Sequence, residues 1–307
     1  MTDIRHRTLT ALALNRTPGF HFAGNFLGVT IRERTPQRSR VNLTPGPFCA
    51  ARDGQVDLSV TALLADVALA SVVRANLSPA QRLATVALHL QFTGERIAGR
   101  LEGTGDFEGF LSGAAGRQGL SRATLHANGH PVLHASGTFM VLDPPPGVAM
   151  HPIVDADHSA IEPLTESALT VPERKLLARV EAALANTTHD PSFIERLWGY
   201  HPQPTAGGAV CVVANGPHLG NRVGHMQGGL QIGLAASTAN AALPTGWMLS
   251  GISAYFISPG EGRTLRAASR LVHRGRHTAV VRTVITGKQR RRILEVISTH
   301  AWRGHRE

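Results

Sequence analysis

An acidic residue inside a strongly apolar segment is the first feature of this sequence that could do chemistry. Asp66 lies within Leu63-Leu-Ala-Asp-Val-Ala-Leu-Ala70, where neither a capping position nor a polar face accounts for it. Burying an unpaired carboxylate costs free energy, so a carboxylate that is kept there usually has a function. It could act as a general base toward water, or as a nucleophile toward a carbonyl carbon. A structural carboxylate bonded to an arginine or to backbone groups is the alternative, and the sequence leaves all three open.

A pair of glycines at the start of a second apolar segment could supply the complementary group. Gly228 and Gly229 open a predicted helix that follows Asn221. The first N–H groups of a helix have no intrahelical acceptor, the helix dipole is positive there, and a glycine lets a substrate approach closely. Gly228 is therefore a candidate donor to a polarised carbonyl oxygen, with the Asn221 amide as a second donor. A tight turn with no further role is the alternative.

A long apolar helix, from about Ser59 to Arg74, is predicted to carry Asp66. A short N-terminal helix and a strand around Phe26 to Glu33 precede it. Four strand-like segments follow, and the turn signal Asn128-Gly129 joins the last two into a hairpin. These segments are Leu83 to Thr93, Arg100 to Leu111, Ser121 to His126 and Val132 to Leu142.

The second half repeats this order of elements. A helix from Pro172 to Ala185 and a strand near Ala209 to Ala214 precede a long apolar helix from about Gly228 to Leu243. Four strands are predicted after it, at Met248 to Ile257, Thr264 to His273, Thr278 to Thr286 and Ile293 to Trp302. Neither long helix has a clean polar face, so each is expected to be buried against a curved antiparallel sheet.

The Pro-rich segment Asp143 to Gly147 ends the first half, and the polar stretch after it has the composition of a linker. The sequence therefore predicts an α+β chain with an N-terminal domain at 1–147, a linker at 148–171 and a C-terminal domain at 172–307. Two unrelated α+β domains remain an alternative, because the order of elements is a weak guide to topology.

Composition and charge exclude several classes of protein. The chain has 31 basic and 21 acidic residues, a net charge of +10 that favours a polyanionic or phosphorylated partner. The basic clusters lack interleaved aromatics and a DNA-reading motif, so no nucleic-acid partner is expected. The apolar runs are too short for a membrane span or a secretory signal, and a cytoplasmic location is expected. Cys49 and Cys211 are far apart, and His126, His130 and His134 have no supporting carboxylates, so no metal site is predicted.

The segment from Asn221 to Leu230 resembles the loop and helix start of hotdog-fold acyl-CoA thioesterases of the phenylacetate-degradation type. In that family an Asn is followed by His-Gly-Gly and by a helix that carries an acid. The second half keeps Asn221 and both glycines, but has Gln227 for the His and Ala236 for the acid. The first half keeps the acid segment but has Val56-Asp-Leu-Ser59 where His-Gly-Gly would be. Each half therefore retains what the other has lost.

This resemblance implies a double hotdog, in which two curved antiparallel sheets each wrap a long central helix and form a pseudo-dimer within one chain. In the family, each active site takes its acid from one unit and its glycine loop from the other. The resemblance thus implies one composite site, with Asp66 and the strand hydroxyl of Thr85 from the first half and Asn221 and Gly228 from the second. It also implies substrate contacts for Gln227 and Gly229.

The implied activity is hydrolysis of an acyl-CoA thioester without a metal or redox cofactor. Arg270, Arg274 and Arg276 are expected near a turn, where they could meet the phosphates of coenzyme A. A hotdog hydratase or dehydratase is the first alternative, because His21-Phe-Ala-Gly24 resembles the His-Phe-Pro-Gly phrase of acyl-carrier-protein dehydratases, although it lies before the first strand. A non-catalytic acyl-CoA-binding hotdog protein is the second. Assembly of the fused pairs into a homo-oligomer stays open.

Overall fold

The computed structural model describes residues 2–17, 21–113, 116–143, 161–185 and 192–304. Its helices are α1 Thr2–Asn15, α2 Phe22–Leu27, α3 Leu58–Arg74, α4 Val171–Ala185, α5 Phe193–Trp198 and α6 Gly228–Ala241. Its strands are β1 Thr30–Arg34, β2 Arg38–Leu43, β3 Arg82–Phe92, β4 Leu101–Gly113, β5 Gly116–Ala127, β6 His130–Leu142, β7 Gln203–Thr205, β8 Gly208–Ala214, β9 Trp247–Phe256, β10 Thr264–Arg274, β11 Thr278–Thr286 and β12 Arg292–Trp302. None of the described helices is long and apolar enough to cross a membrane.

The strands form one continuous antiparallel sheet in the order β1-β2-β4-β5-β6-β3-β9-β12-β11-β10-β8-β7. The halves join where β3 pairs with β9, with Ala87 opposite Tyr255 and Gln91 opposite Gly251. The prediction of two separate sheets is corrected by this pairing. An unpaired edge strand exposes a row of backbone N–H and C=O groups, and the β3–β9 ladder satisfies both edges at once.

The two long helices are buried, as predicted, and they pack against each other as well as against the strands of their own half. Gly229 and Gly233 of α6 make this close contact feasible. A Cβ atom at Gly229 would lie 2.4 Å from Leu63 Cα, and one at Gly233 would lie 2.3 Å from Ser59 Cβ. The helix contact therefore requires glycine at both positions.

The loop before each long helix has the same construction in the two halves. Ala50 forms an isolated bridge with Val56 in the first half, and Gly220 forms one with Met226 in the second. The residue after the bridge, Asp57 in the first half and Gln227 in the second, caps the long helix of that half. The Asp57 carboxylate accepts the N–H of Ser59, and the Gln227 side chain accepts the N–H of Leu230. Two helix N-termini are thus presented at corresponding places.

A short helix replaces the start of the first predicted strand. The segment from Phe26 to Glu33 begins inside α2 and becomes extended only after Gly28, whose φ of 72° ends the helix. The second half has the matching helix α5, which ends at Gly199 with a φ of 81°. Left-handed conformations of this kind favour glycine at a helix C-terminus.

The other predicted helices and strands are present, although β5 starts earlier than predicted, at Gly116. The hairpin turn at Asn128-Gly129 is present between β5 and β6. The Pro-rich segment from 144 onward and most of the predicted linker lie outside the described residues.

Candidate active site

Asp66 lies in the middle of α3 and is 7% exposed. Its Oδ2 accepts a hydrogen bond of 2.6 Å from Gln227 Nε2, whereas its buried Oδ1 has no hydrogen-bond partner among the described residues. Burial raises the pKa of Asp66 to about 7, although the Gly229 N–H, the Thr85 hydroxyl and the Gln227 amide act to lower it. A carboxyl group with a pKa near 7 can both take and return a proton at neutral pH.

Gln227 ties the carboxylate to the start of α6. Its Oε1 accepts the Leu230 N–H at 2.8 Å, and its Nε2 donates to Asp66. The side chain is buried, so both ends of the amide are committed to protein groups. Gln227 therefore contacts Asp66 and links the two halves at this point.

Gly228 is the first residue of α6 and lies beside the carboxylate. A Cβ atom at this position would lie 3.1 Å from Asp66 Oδ2 and 3.4 Å from the Phe256 ring. As the first helical residue, it has an N–H without an intrahelical acceptor, at the positive end of the helix dipole. A backbone donor and a proton-accepting carboxylate are thus adjacent. Gly229 lies behind them, against the backbone of Leu63.

A cavity of about 180 Å³ between the halves contains these groups. The first half contributes Asp66 and Thr85, and the second contributes Asn221, Gln227 and Gly228. All four residues predicted to be catalytic therefore line one cavity, whereas Gly229 does not. The rest of the lining comprises apolar, basic and small polar residues: Val67, Ala70, Leu83, Phe139, Val223, Arg74, Arg82, Arg222, His21 and Ser71.

Thr85 and Asn221 are held differently. Thr85 lies near the start of β3, opposite Phe139 and next to a register shift in the β3–β6 pairing. The Asn221 side chain shapes its own loop, because its Oδ1 accepts the N–H groups of Val223 and His225, each at 3.0 Å. Its use as a second donor to substrate stays a prediction.

The arginines predicted to meet coenzyme A lie elsewhere. Arg270 and Arg274 belong to β10, Arg276 follows in the turn before β11, and all three are exposed. None of them lines the Asp66 cavity, so the prediction is not supported for this site. Their turn lies near the end of the second half, whereas the cavity lies where α3 and β3 of the first half meet the loop that contains Asn221.

Three other arginines, Arg74, Arg82 and Arg222, line the cavity instead. Sequence reasoning missed them, although two signals were present. Arg222 directly follows Asn221 in the recognised loop, and Arg74 follows Asp66 at a spacing that returns to the same helix face. Among the described residues, no group of three side chains is arranged to hold a metal ion.

His21 is a further residue that the sequence analysis did not place in this site. It caps α2, where its Nδ1 accepts the Gly24 N–H at 3.2 Å. The neutral ring therefore carries its proton on Nε2. Burial, together with the nearby Arg222, lowers the pKa of His21 to about 4, so the ring is neutral at physiological pH.

A second cavity, of about 580 Å³, lies at the corresponding place of the other half. Asp57 and Leu58 occupy the positions that Gln227 and Gly228 have in the first cavity. The helix position that corresponds to Asp66 is Ala236, which is buried. Burial raises the pKa of Asp57 to about 6, but this carboxylate caps α3 by accepting the Ser59 N–H and hydroxyl. The second cavity therefore lacks both the mid-helix acid and the glycine at the helix start.

No protein-family model matches the chain, and no curated protein sequence matches it. Solved structures do match. A Lactobacillus plantarum protein provisionally described as an oleoyl thioesterase is 8% identical, with a TM-score of 0.54, over 87% of this chain and 97% of that protein. A hotdog-fold protein of unknown function from Alicyclobacillus acidocaldarius is 9% identical, with a TM-score of 0.52, over 88% of this chain and 94% of that protein. A protein from Novosphingobium aromaticivorans, provisionally described as a thioesterase, is 16% identical, with a TM-score of 0.51, over 90% of this chain and 99% of that protein.

The matches extend over both halves of the chain. At these sequence identities the likeness establishes the fold alone. The chain therefore has the hotdog fold that the sequence predicted.

Proposed function

We propose that the chain is an acyl-CoA thioesterase that works at one composite site between its halves. The observation that carries the proposal is the position of Asp66, which lies beside the first N–H of α6 in a cavity lined by both halves. Thioester hydrolysis needs a group that activates water or attacks the carbonyl carbon, and a donor that stabilises the carbonyl oxygen. Asp66 and Gly228 supply these two functions from opposite halves.

In the general-base form of the mechanism, the Asp66 carboxylate takes a proton from a water molecule as the water oxygen attacks the thioester carbon. The tetrahedral intermediate then collapses, the C–S bond breaks, and Asp66 returns its proton to the leaving thiolate. In the nucleophilic form, Asp66 attacks the carbonyl carbon and releases the thiolate, and water then hydrolyses the acyl anhydride. Both forms require an ionised carboxylate and yield a free acid and coenzyme A.

Gly228 is assigned the stabilisation of the carbonyl oxygen as negative charge develops on it. Its N–H is fixed at the start of α6 before substrate binds, and the absence of a side chain leaves the donor accessible. Removing one such donor from an enzyme typically costs ~3 to 4 kcal/mol of transition-state stabilisation. Thr85 is assigned the orientation of the carboxylate or the attacking water, because its hydroxyl interacts with Asp66.

The size of the cavity bears on the acyl group. About 180 Å³ is smaller than the ~300 Å³ lower limit of pockets that enclose drug-sized ligands. Val67, Ala70, Leu83 and Phe139 make part of its wall apolar. We therefore propose a short, apolar acyl portion next to the reacting carbonyl, with the coenzyme A portion extending out of the cavity.

A hydratase or dehydratase is the second candidate, because the structure brings His21 into the same cavity as Asp66. That chemistry needs an imidazole nitrogen that accepts a proton from the substrate carbon. Here Nδ1 already accepts the Gly24 N–H, and Nε2 carries the proton of the neutral ring. His21 is therefore better suited to donate a hydrogen bond than to act as a base, and hydrolysis is the preferred proposal.

The decisive test is a panel of acyl-CoA thioesters of graded length and aromaticity, with hydrolysis followed by release of free thiol. Enoyl-CoA and 3-hydroxyacyl-CoA substrates are included, and their interconversion is followed without thiol release. The proposal predicts thiol release that depends on Asp66. Interconversion of the enoyl and hydroxyacyl forms without thiol release would establish the hydratase. Binding without either reaction would establish an acyl-CoA-binding protein.

A further inference from the structure

We propose that Phe139 limits the length of the acyl group that the Asp66 cavity accepts, and that the substrate is the thioester of a short, straight-chain acid. The inference rests on the proposed function, because it concerns the same cavity, and it assigns the length limit to one side chain. Phe139 belongs to β6 and is the largest apolar side chain among the described lining residues.

The exposure of the lining residues distinguishes the mouth of the cavity from its inner end. Val223 is 38% exposed and the lining arginines are half-buried, so the substrate enters on their side. Asp66 and Phe139 are buried, at 7% and 1% exposed. A thioester with its carbonyl beside Asp66 and Gly228 has its coenzyme A portion in the mouth. Its acyl group is therefore directed toward the buried wall that includes Phe139.

The strand register places Phe139 next to the proposed reacting groups. Phe139 lies directly opposite Thr85 in the β3–β6 pairing, and both side chains line the cavity. Residues that are opposite each other in antiparallel strands have Cα atoms ~4.5 to 5.5 Å apart and side chains on one face. The Thr85 hydroxyl interacts with Asp66. An acyl chain that extends inward from a carbonyl at Asp66 therefore meets the ring after a short distance.

Two local features hold the ring in this place. A register shift between Thr85 and Ala87 leaves Val86 without an opposite residue, and a bulge of this kind re-aims the side chains beside it. The ring lies against Gly137, where a Cβ atom would come within 2.7 Å of Phe139 Cε2. The position of the ring therefore depends on glycine at the neighbouring inward-facing position of β6.

The second half has the same bulge and a different ring. The β9–β12 pairing has a register shift at the corresponding place, where Leu249 lies opposite His300. His300 Nε2 lies 3.0 Å from Ser298 Oγ, and the described lining of the second cavity includes Leu249 but not His300. That cavity has a volume of about 580 Å³, against about 180 Å³ for the cavity that Phe139 lines. An aromatic ring in the wall is therefore a feature of the Asp66 cavity and is not imposed by the fold.

The test is the ratio of kcat/KM for octanoyl-CoA to kcat/KM for butanoyl-CoA, measured by release of free thiol. Phe139→Leu and Phe139→Ala remove increasing parts of the ring, so the ratio should rise in that order. We expect a rise of at least ~10-fold in Phe139→Ala, the lower end of the effect of one methylene group in a hydrophobic pocket. Both substrates are measured on one preparation, so the ratio does not depend on the folded fraction. Phe139→Leu, the smaller change, keeps the test valid if the alanine variant is too unstable to purify.

Three further variants separate the cavity wall from the core. Phe26→Leu changes a fully buried phenylalanine outside the described lining, and His300→Ala changes the corresponding ring of the other half. Both should leave the ratio unchanged. Ala70→Leu adds bulk to the apolar wall of the Asp66 cavity and should lower the ratio. An unchanged ratio in both Phe139 variants, an equal rise in Phe26→Leu, or a wild type that prefers octanoyl-CoA would overturn the proposal.

A binding measurement separates this inference from the proposed function. Asp66→Asn is titrated with butanoyl-CoA and octanoyl-CoA, with and without Phe139→Ala, so the result does not depend on turnover. If the wild type hydrolyses neither thioester while Phe139→Ala raises the relative affinity for octanoyl-CoA at least ~10-fold, the length limit stands and the hydrolase proposal fails. If hydrolysis depends on Asp66 while Phe139→Ala changes neither ratio, the length limit fails and the hydrolase proposal stands.

Discussion

The cavity that contains Asp66 and the cavity that contains Asp57 have the same scaffold but different residues at corresponding positions. Each lies where a long helix of one half meets the capped start of the long helix of the other. In the first, Asp66 lies beside Gly228; at the second, the corresponding residues are Ala236, which is buried, and Leu58, which lines the cavity. The comparison shows that the fold supplies two equivalent places, and that the residues at two corresponding positions distinguish the cavity of the proposed site from the other.

The cavities also use their carboxylates differently: Asp66 is buried, whereas Asp57 is partly buried. Asp57 and Asp66 both have a pKa that burial raises, to about 6 and about 7. Asp57 is committed to the end of its helix, where capping explains it. Asp66 lies in mid-helix with one oxygen lacking a described partner, and capping cannot explain it. A raised pKa by itself therefore does not identify a reactive carboxylate. What distinguishes Asp66 is that it lies in the middle of α3 and beside the start of α6.

The largest effect on activity is expected from neutralising Asp66, with the neutralisation of Asp57 as the comparison. Asp66→Asn keeps the shape of the side chain but removes the base or nucleophile, so kcat/KM for thioester hydrolysis should fall at least ~10²-fold. Asp57→Asn is the matched control, because asparagine also caps helices well, and its activity should stay close to that of the wild type. Similar losses in both variants would mean that the carboxylates act through the stability of the fold.

A smaller loss is expected from Gly228→Ala. The added Cβ would lie 3.1 Å from Asp66 Oδ2, so it would crowd the carboxylate and the approach of the substrate to the helix start. We expect kcat/KM to fall by roughly 10- to 100-fold, the scale of a misplacement near 1 Å in an active site. Leu58→Ala changes the corresponding position of the other cavity and should leave kcat/KM unchanged. A loss of kcat/KM in Leu58→Ala but not in Gly228→Ala would place the chemistry in the cavity that Leu58 lines, and would contradict a site at Asp66.

The dependence of activity on pH follows from the pKa of Asp66. The ionised form is the reactive one in either mechanism, so kcat/KM should rise with pH and level off above an apparent pKa near 7. Because the Gln227 amide lowers this pKa, Gln227→Met should move the rise to higher pH. A profile that is flat between pH 5 and 9, or a midpoint unaffected by Gln227→Met, would exclude Asp66 as the titrating group.

The smallest effect concerns stability. The folded chain holds the Asp66 proton up to about pH 7, whereas its ordinary pKa is 3.8, so the folded state binds more protons between these values. The unfolding free energy contributed by this group therefore falls as the pH rises through that interval. Asp66→Asn should raise Tm at pH 8, by roughly 2 to 4 °C per kcal/mol gained, and should give no gain near pH 4. Thermal unfolding at both pH values checks this, and a gain of equal size at both would contradict it.

Local patterns in the sequence were sufficient to predict most of the fold. The apolar stretches around Asp66 and after Gly228 form the predicted helices, and Asn128-Gly129 forms the predicted hairpin turn. The pairing of β3 with β9 was not predictable in this way, because it joins edges that are remote in the chain and depends on how the halves pack. The short helix α5 had a readable signal in its capping box, Ser192 to Glu195, whereas α2 has the less usual cap His21.

The candidate site was predicted where the two halves carry complementary motifs. Asp66, Thr85, Asn221 and Gly228 are far apart in sequence, and the structure places them around one cavity. Arg222 and Arg74 had a signal in the sequence, in the loop after Asn221 and in the helical spacing from Asp66, but tertiary packing decides which basic side chains line the cavity. Arg74, Arg82 and Arg222 took the place expected of the arginines on β10 for this reason. Acyl-CoA as the substrate, the absence of a cofactor and of a nucleic-acid partner, a cytoplasmic location and the oligomeric state stay predictions.

The central claim is that only the Asp66 cavity of the two binds substrate. Its most direct test is a calorimetric titration of the chain with a non-hydrolysable acyl-CoA analogue. The account predicts saturation at one equivalent per chain. Gly228→Leu gives the Asp66 cavity the residue that Leu58 provides in the other, and it should abolish this binding while the chain still unfolds cooperatively. Two equivalents in the wild type, or one equivalent retained in Gly228→Leu, would contradict the single composite site.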